Sequence, residues 1–172
     1  PAMLMAETRA YLRLLARNRN DLSLILTRAN TMMGEDVGKE RFVTMLLAKL
    51  DPEERTLVHA SAGHSPAFVL GPDGEVKSEL RRTGMPLGVM PDAEYTVSRQ
   101  MRLAKGDVLV LLTDGLEETT NPKGELFGTV RILEVVHKSR QLKAAKIVKS
   151  VFEVLENFSG NAEQMDDLKS SP

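Results

Sequence analysis

Residues Gly106 to Glu118 read GDVLVLLTDGLEE, and no other stretch constrains the fold as strongly. Five apolar residues in succession, Val108 to Leu112, predict a strand buried on both faces. It runs into Thr113-Asp114-Gly115, and Leu116 opens a short helical segment carrying Glu117 and Glu118. A carboxylate at the end of a buried strand is held rigidly while its head reaches a crevice. Gly115 permits a sharp turn and the close approach of a ligand. Such a carboxylate suits a hard cation, Mg²⁺ or Mn²⁺, which takes oxygen ligands and keeps several waters. A strand followed by Asp-Gly is common, however, and Asp114 also suits the simpler role of capping the helix that follows it, so the stretch alone does not decide for a metal.

The 172 residues are enough for one domain with a real core. A net charge of −1 gives no basic field for nucleic acid or an anionic membrane surface. Aromatic residues make up 4% and Trp is absent, which also argues against a base-stacking platform. Without Cys there is no disulfide, thiol nucleophile or cysteine–zinc site, and a cytoplasmic setting is the expectation. No apolar run approaches the roughly 20 residues that span a bilayer, and nothing resembles a signal peptide.

Along the chain, Pro1 to Arg17 has helical spacing, with Arg9, Arg13 and Arg17 in one polar row. Asn18 to Asp21 is a break with Asn20 or Asp21 as N-cap. Leu22, Ile25, Leu26, Ala29, Met32 and Met33 form an amphipathic stripe that Gly34 ends. The methionines read as core filler. From Arg41 the period changes. Phe42 to Leu50 and Thr56 to Ser61 make a hairpin around Asp51-Pro52-Glu53-Glu54, and Ala67 to Leu70 a further strand. Gly71-Pro72-Asp73-Gly74 turns the chain. Strict alternation over Tyr95 to Leu103 predicts one more strand. Phe127 to His137 reads as a helix on Val130, Leu133 and Val136. A last helix rests on Ala145, Val148, Val151, Phe152 and Leu155, with Lys143, Lys146 and Lys149 on its wet side. Helices, meandering strands and further helices give an α+β layered domain.

Several segments in this order carry a resemblance. They are Pro1 to Ala6, Arg41-Phe42-Val43-Thr44, Ala62-Gly63-His64-Ser65-Pro66, Pro86-Leu87-Gly88-Val89, Gly106-Asp107 with Thr113 to Glu118, Phe127-Gly128 and Asp166-Asp167. Together they resemble the metal-dependent protein serine/threonine phosphatases, in the bacterial subfamily of sporulation stage II protein E and the RsbU regulator. The resemblance implies an α-β-β-α sandwich of two antiparallel sheets flanked by helices, spanning residues 1–168 before a polar tail at 169–172. It implies Asp114 and Asp166 as ligands to a pair of Mn²⁺ or Mg²⁺ ions at one end of the sandwich. Asp167 and Gly115 would shape the site. A water held between two such cations about 4 Å apart becomes a nucleophile without any protein thiol or hydroxyl. The implied partners are a phosphorylated anti-sigma-factor antagonist or similar substrate and an upstream sensory domain.

Other residues fit the resemblance less directly. His64 invites a base or ligand role but reads as a structural turn that shapes the sheet edge near the site. His59 and His137 have no ligand spacing and read as structural. Glu117 and Glu118 serve either as partners of metal-bound water or as a solvated helix start. The arginine row reads as a solvated face.

The family's first metal motif, an Asp closely followed by Gly-His-Gly, belongs just before Pro1, and its final strand gives way to Lys169-Ser170-Ser171-Pro172. A domain incomplete at both ends is therefore expected, an enzyme in its intact form and weak or inactive as this stretch. A non-catalytic module that binds a regulatory partner is the alternative. Asp114 as a phosphoacceptor on a parallel sheet fails, because the strands are hairpin-like. An uncovered Leu22–Met33 seam would favour a homodimer through the N-terminal helices.

Overall fold

The computed structural model describes residues 2–18, 21–36 and 42–160. They fall into two compact units, each assembled from separated stretches of chain: the described residues up to 66 with 80–103, and 67–79 with 104–160.

In the first unit, α1 (Ala2–Asn18) and α2 (Leu22–Asp36) form the expected hairpin. Asp21 is the N-cap, its Oδ1 accepting the Leu24 N–H at 3.2 Å. Helix α2 does not end at Gly34 but continues to Asp36. Gly34 is there for proximity, since an added Cβ would lie 2.9 Å from the Pro91 side chain. The stripe is buried: Leu22, Ile25, Leu26, Ala29 and Met33 are all at most 9% exposed. Leu22, Leu26 and Met33 pack with Leu4, Ala60, Ala62, Leu87 and Tyr95. The seam expected to await a second copy is thus covered within one chain, because small alanines on the sheet admit the helix. Arg9, Arg13 and Arg17 face solvent.

Strands β1 (Met45–Asp51) and β2 (Thr56–Ala62) pair antiparallel from Met45↔Ala62 to Asp51↔Thr56. Asp51 Oδ1 accepts the N–H groups of Glu53 and Glu54, each at 3.0 Å, and so closes the turn. Phe42 lies outside the strand and is exposed, while Val43 forms an isolated bridge with Leu87. The alternating stretch 95–103 yields only a two-residue strand, β5 (Met101–Arg102), beside β2. Its upstream part follows β2 irregularly. The Ser98 N–H donates to His59 O at 2.8 Å, but the return bond runs from His59 N–H to the Ser98 hydroxyl at 3.0 Å.

The second unit has a sheet ordered β4-β3-β6, from β3 (Ala67–Leu70), β4 (Val76–Leu80) and β6 (Val108–Val110). Strand β4 was not expected, since Val-Lys-Ser-Glu-Leu has apolar residues only at its ends. Helices α3 (Asp114–Glu117), α4 (Gly128–Ser139) and α5 (Ala144–Ser159) complete it. Leu70, Leu112, Phe127, Ile132, Val136, Ile147, Val151 and Leu155 form its core. Val130 and Val148, expected inside, are 70% and 53% exposed. Ile132 and Ile147 take the buried places instead. Gly160, with φ 60, ends α5 in a left-handed C-cap. Among the described residues no helix is long and apolar enough to cross a membrane.

Candidate functional site

The apolar run before Asp114 divides into a short strand and a connector. Strand β6 pairs with β3 through Phe68↔Val110, Val69↔Leu109 and Leu70↔Val108, and it lies at the edge of its sheet. Its residues are half-buried, not buried on both faces, because pairing is one-sided among the described strands. Leu111 then turns out to solvent, Leu112 drops into the core, and Thr113 stays extended at φ −119° and ψ 153°. Entry into the strand is fixed by Asp107. Its Oδ2 pairs with Lys77 Nζ at 2.5 Å and accepts the Ala104 N–H at 2.8 Å. Burial alone would push the Asp107 carboxyl up, but the Lys77 and Ala104 bonds outweigh it and hold the group below its usual range.

Asp114 is the first residue of α3 and not its cap, for the N-cap is Thr113, which makes no side-chain capping bond. The carboxylate-bearing residue is exposed at this junction. Gly115 adopts ordinary helical backbone, so no left-handed turn requires it. A Cβ there would meet nothing within 4 Å, and the space before the junction is open. Hydrogen bonds hold the short helix. Leu116 N–H donates to Thr113 O at 3.1 Å, and Glu118 N–H to Asp114 O at 2.8 Å. The Thr119 hydroxyl donates to Gly115 O at 2.7 Å. Glu117 is half-buried, and its Oε1 accepts the Thr129 hydroxyl from the first turn of α4. Glu117 is therefore committed to the protein, whereas Glu118 is solvated.

His64 belongs to the first unit, Asp114 and Gly115 to the second. The His64 Nδ1 stands 3.4 Å from the Thr44 hydroxyl, and its carbonyl accepts Arg82 Nε at 3.2 Å. Gly63, at φ 67, is pressed against Pro86, which lies 2.4 Å from where its Cβ would be. These contacts hold the segment in its conformation. His59 and His137 are likewise occupied, by Arg81 O and Gly74 O, each at 3.1 Å. Asp166 and Asp167 lie outside the described residues.

As a hard oxygen donor on an anchored, exposed junction, Asp114 fits one ligand position of a divalent cation. Among the described residues no group of three or more His, Asp or Glu could hold an ion. Sequence reading passed over Thr119 and Thr129, whose hydroxyls pin the junction. A hydroxyl reaching across a loop leaves no periodic signal.

A model of the family described as stage II sporulation protein E (SpoIIE) matches residues 1–169. Protein IcfG of Synechocystis sp. is 30% identical over 129 residues, which cover 74% of this chain and 20% of that protein. The phosphoserine phosphatase RsbU of Bacillus subtilis is 28% identical over 133 residues, 77% of this chain and 39% of RsbU. The chain thus spans well under half the length of either relative. Among solved structures, the SiaA-PP2C domain of Pseudomonas aeruginosa superposes with a TM-score of 0.80 at 22% identity, covering 96% of this chain and 65% of that one. This likeness establishes the α+β phosphatase fold.

Proposed function

The chain belongs to the stage II sporulation protein E family, and from that footing we propose that its domain hydrolyses phosphoserine or phosphothreonine on a regulatory protein. The observation that carries this reading is the exposed Asp114 at a strand-to-helix junction whose following turn is fixed by hydrogen bonds from Thr119 and Thr129. The chain's likeness to a phosphoserine phosphatase supports it.

In this reading Asp114 and Asp166 hold a pair of divalent cations, Mn²⁺ or Mg²⁺, with Gly115, Asp167 and the His64 turn shaping the surroundings. When bound, such cations acidify water and neutralise phosphoryl charge. The chain's own part is to hold the Asp114 carboxylate in one orientation and leave room in front of it, which the bare Gly115 does. The substrate class is a small phosphorylated regulator such as an anti-sigma-factor antagonist, in the cytoplasm, with a sensory domain in the same protein governing activity.

The test is phosphate release from a phosphoserine-bearing anti-sigma-factor antagonist with Mn²⁺ or Mg²⁺, by the full-length protein and its Asp114→Asn variant. Metal-dependent release that falls about 100-fold or more in the variant, at unchanged Tm, is expected. Equal activity in the two proteins would overturn the assignment. Stable binding of the phosphorylated regulator with no release under either metal would establish the non-catalytic module instead.

A further inference from the structure

Helix α5 carries its charges against its own dipole. The N-terminal end of a helix is electropositive and its C-terminal end electronegative, so acidic residues stabilise the first turn and basic ones the last. Helix α5 has neither. Its N-cap is Lys143, which makes no side-chain capping bond, and Lys146 follows in the first turn. Glu156 stands in the last turn. Between them Lys149 and Glu153 lie 3.5 Å apart, with Lys preceding Glu, the less favourable order on a helix. Their side chains are 75% and 58% exposed, so solvent screens most of the attraction. Within one copy of the chain the pattern contributes little.

The same pattern is self-complementary. Ile147, Val151 and Leu155 are the buried residues of α5, and Lys146, Lys149, Glu153 and Glu156 are exposed. The helical period sets these four in one row on the opposite side, basic in its first half and acidic in its second. The row is symmetric about Val151: Lys149 and Glu153 lie two residues on either side of it, Lys146 and Glu156 five. An antiparallel α5 centred at the same level therefore brings Lys149 level with Glu153 of the second copy, and Lys146 level with its Glu156. The two-fold axis repeats both pairs. The dipoles act in the same sense. In an antiparallel pair the basic first turn of one helix lies beside the electronegative end of the other. Charges that oppose their own dipole thus complement that of the second copy. Ala145 and Ser150, beside the row, are short and let a second helix approach.

We propose that α5 is a self-association surface, on which a second copy of this chain docks antiparallel through Lys146, Lys149, Glu153 and Glu156. The acidic half of the row decides for this occupant. An anionic membrane or a nucleic acid would be drawn to Lys146 and Lys149 but repelled by Glu153 and Glu156 further along the same face. A wholly acidic protein surface meets the same repulsion. The α5 of another copy presents the matching charges in the matching order. One helix face is a small contact, and its ion pairs are solvent-exposed, so the association is weak, reversible and sensitive to salt. It does not depend on the metal role of Asp114.

Sedimentation velocity of the full chain over a concentration series, at low and high salt, tests this with two charge-reversed variants. Lys146→Glu/Lys149→Glu makes the row wholly acidic, and Glu153→Lys/Glu156→Lys makes it wholly basic. Wild type should dimerise at low salt, with a dissociation constant that rises about 10-fold or more at high salt. Each variant alone should stay monomeric at concentrations where wild type is dimeric, because like charges then face each other across the axis. An equimolar mixture of the two should recover a dimer at low salt, which also shows that both variants are folded. Wild type that stays monomeric throughout the series would overturn the inference. So would variants that associate as wild type does, or a mixture that remains monomeric. A monomeric wild type that instead binds poly-glutamate or phosphatidylserine vesicles, and loses this with Lys146→Glu/Lys149→Glu, would overturn it in favour of a different occupant.

Discussion

Polar side chains at three successive positions on one face of α2 grip a loop that carries almost no regular structure. Ser23 Oγ donates to Tyr95 O at 2.5 Å, and Thr27 Oγ1 accepts the Tyr95 N–H at 3.2 Å. Asn30, fully buried, donates to Met90 O and Pro91 O at 2.7 and 3.0 Å and accepts the Gly88 N–H at 2.8 Å. Its amide thereby supplies hydrogen-bond partners to loop backbone that has no neighbouring strand among the described residues. The grip seats Tyr95, 2% exposed, beneath α2. Burial pushes its phenol from 10.0 up to about 12. Between those values the unfolded chain sheds the proton while the folded chain keeps it, so raising the pH favours unfolding. The contribution of Tyr95 is intact below pH 10 and is lost as pH rises toward 12. Urea unfolding over this range should show wild-type stability falling more steeply than that of Tyr95→Phe, which has no proton to lose. Parallel curves would remove the linkage.

Among elements, α4 and the β3–β4 turn show how tightly a helix end is fitted to a loop. His137 Nδ1 lies 3.1 Å from Gly74 O, and Arg140 Nε donates to Pro72 O at 3.0 Å. Gly74 has φ +91, and a Cβ on it would fall 2.5 Å from His137 Nδ1. Gly74→Ala combines backbone strain with a clash and should cost roughly 2–4 kcal/mol. His137→Ala in that background should return part of the loss, because it removes the clashing ring. Denaturant titration of both single variants and the double variant measures this, and strictly additive costs would refute the contact. A turn at Gly71 to Gly74 was legible from its residues, but its use as a seat for α4 was not. The same limit runs through the chain. Helical spacing gave α1, α2, α4 and α5, yet the face of α4 was drawn through Val130 when Ile132 is the buried residue. With Val130, Ile132, Leu133, Val135 and Val136 all apolar, more than one face satisfies the spacing. Strand β4 escaped because its solvent-facing residues outnumber its apolar ones. The stretch 95–103 alternates well but pairs for two residues only, since the Ser98 hydroxyl takes a bond that a backbone carbonyl would need. The Thr113-Asp114-Gly115 junction was legible because a strand end followed by Gly is a local pattern, whereas Thr129 acts from 12 residues beyond Glu117.

For the molecule as a whole, connectivity decides how the two cores behave. The chain leaves the first unit after Pro66, returns at Leu80, and leaves again after Leu103. Neither unit is a continuous segment, and β4 (Val76–Leu80) contributes residues to both. Separate domains normally have few chain crossings and short linkers between them. Here, unfolding one unit would release the ends of segments that the other needs fixed. The entropy of those freed segments would then be charged against the unit still folded. One cooperative transition is therefore expected, despite two distinct apolar clusters. Leu26→Ala in the first cluster and Ile132→Ala in the second each remove a fully buried side chain. Each should lower stability by about 2–5 kcal/mol, depending on how far its cavity collapses. The discriminating observation is the shape of the curve. If the units are bound together by their interlaced chain, either variant shifts a single transition seen alike by far-ultraviolet dichroism and tyrosine fluorescence. If Ile132→Ala splits the curve and leaves a stable intermediate with the Tyr95 environment intact, the first unit folds alone and the interlaced connections do not couple the two.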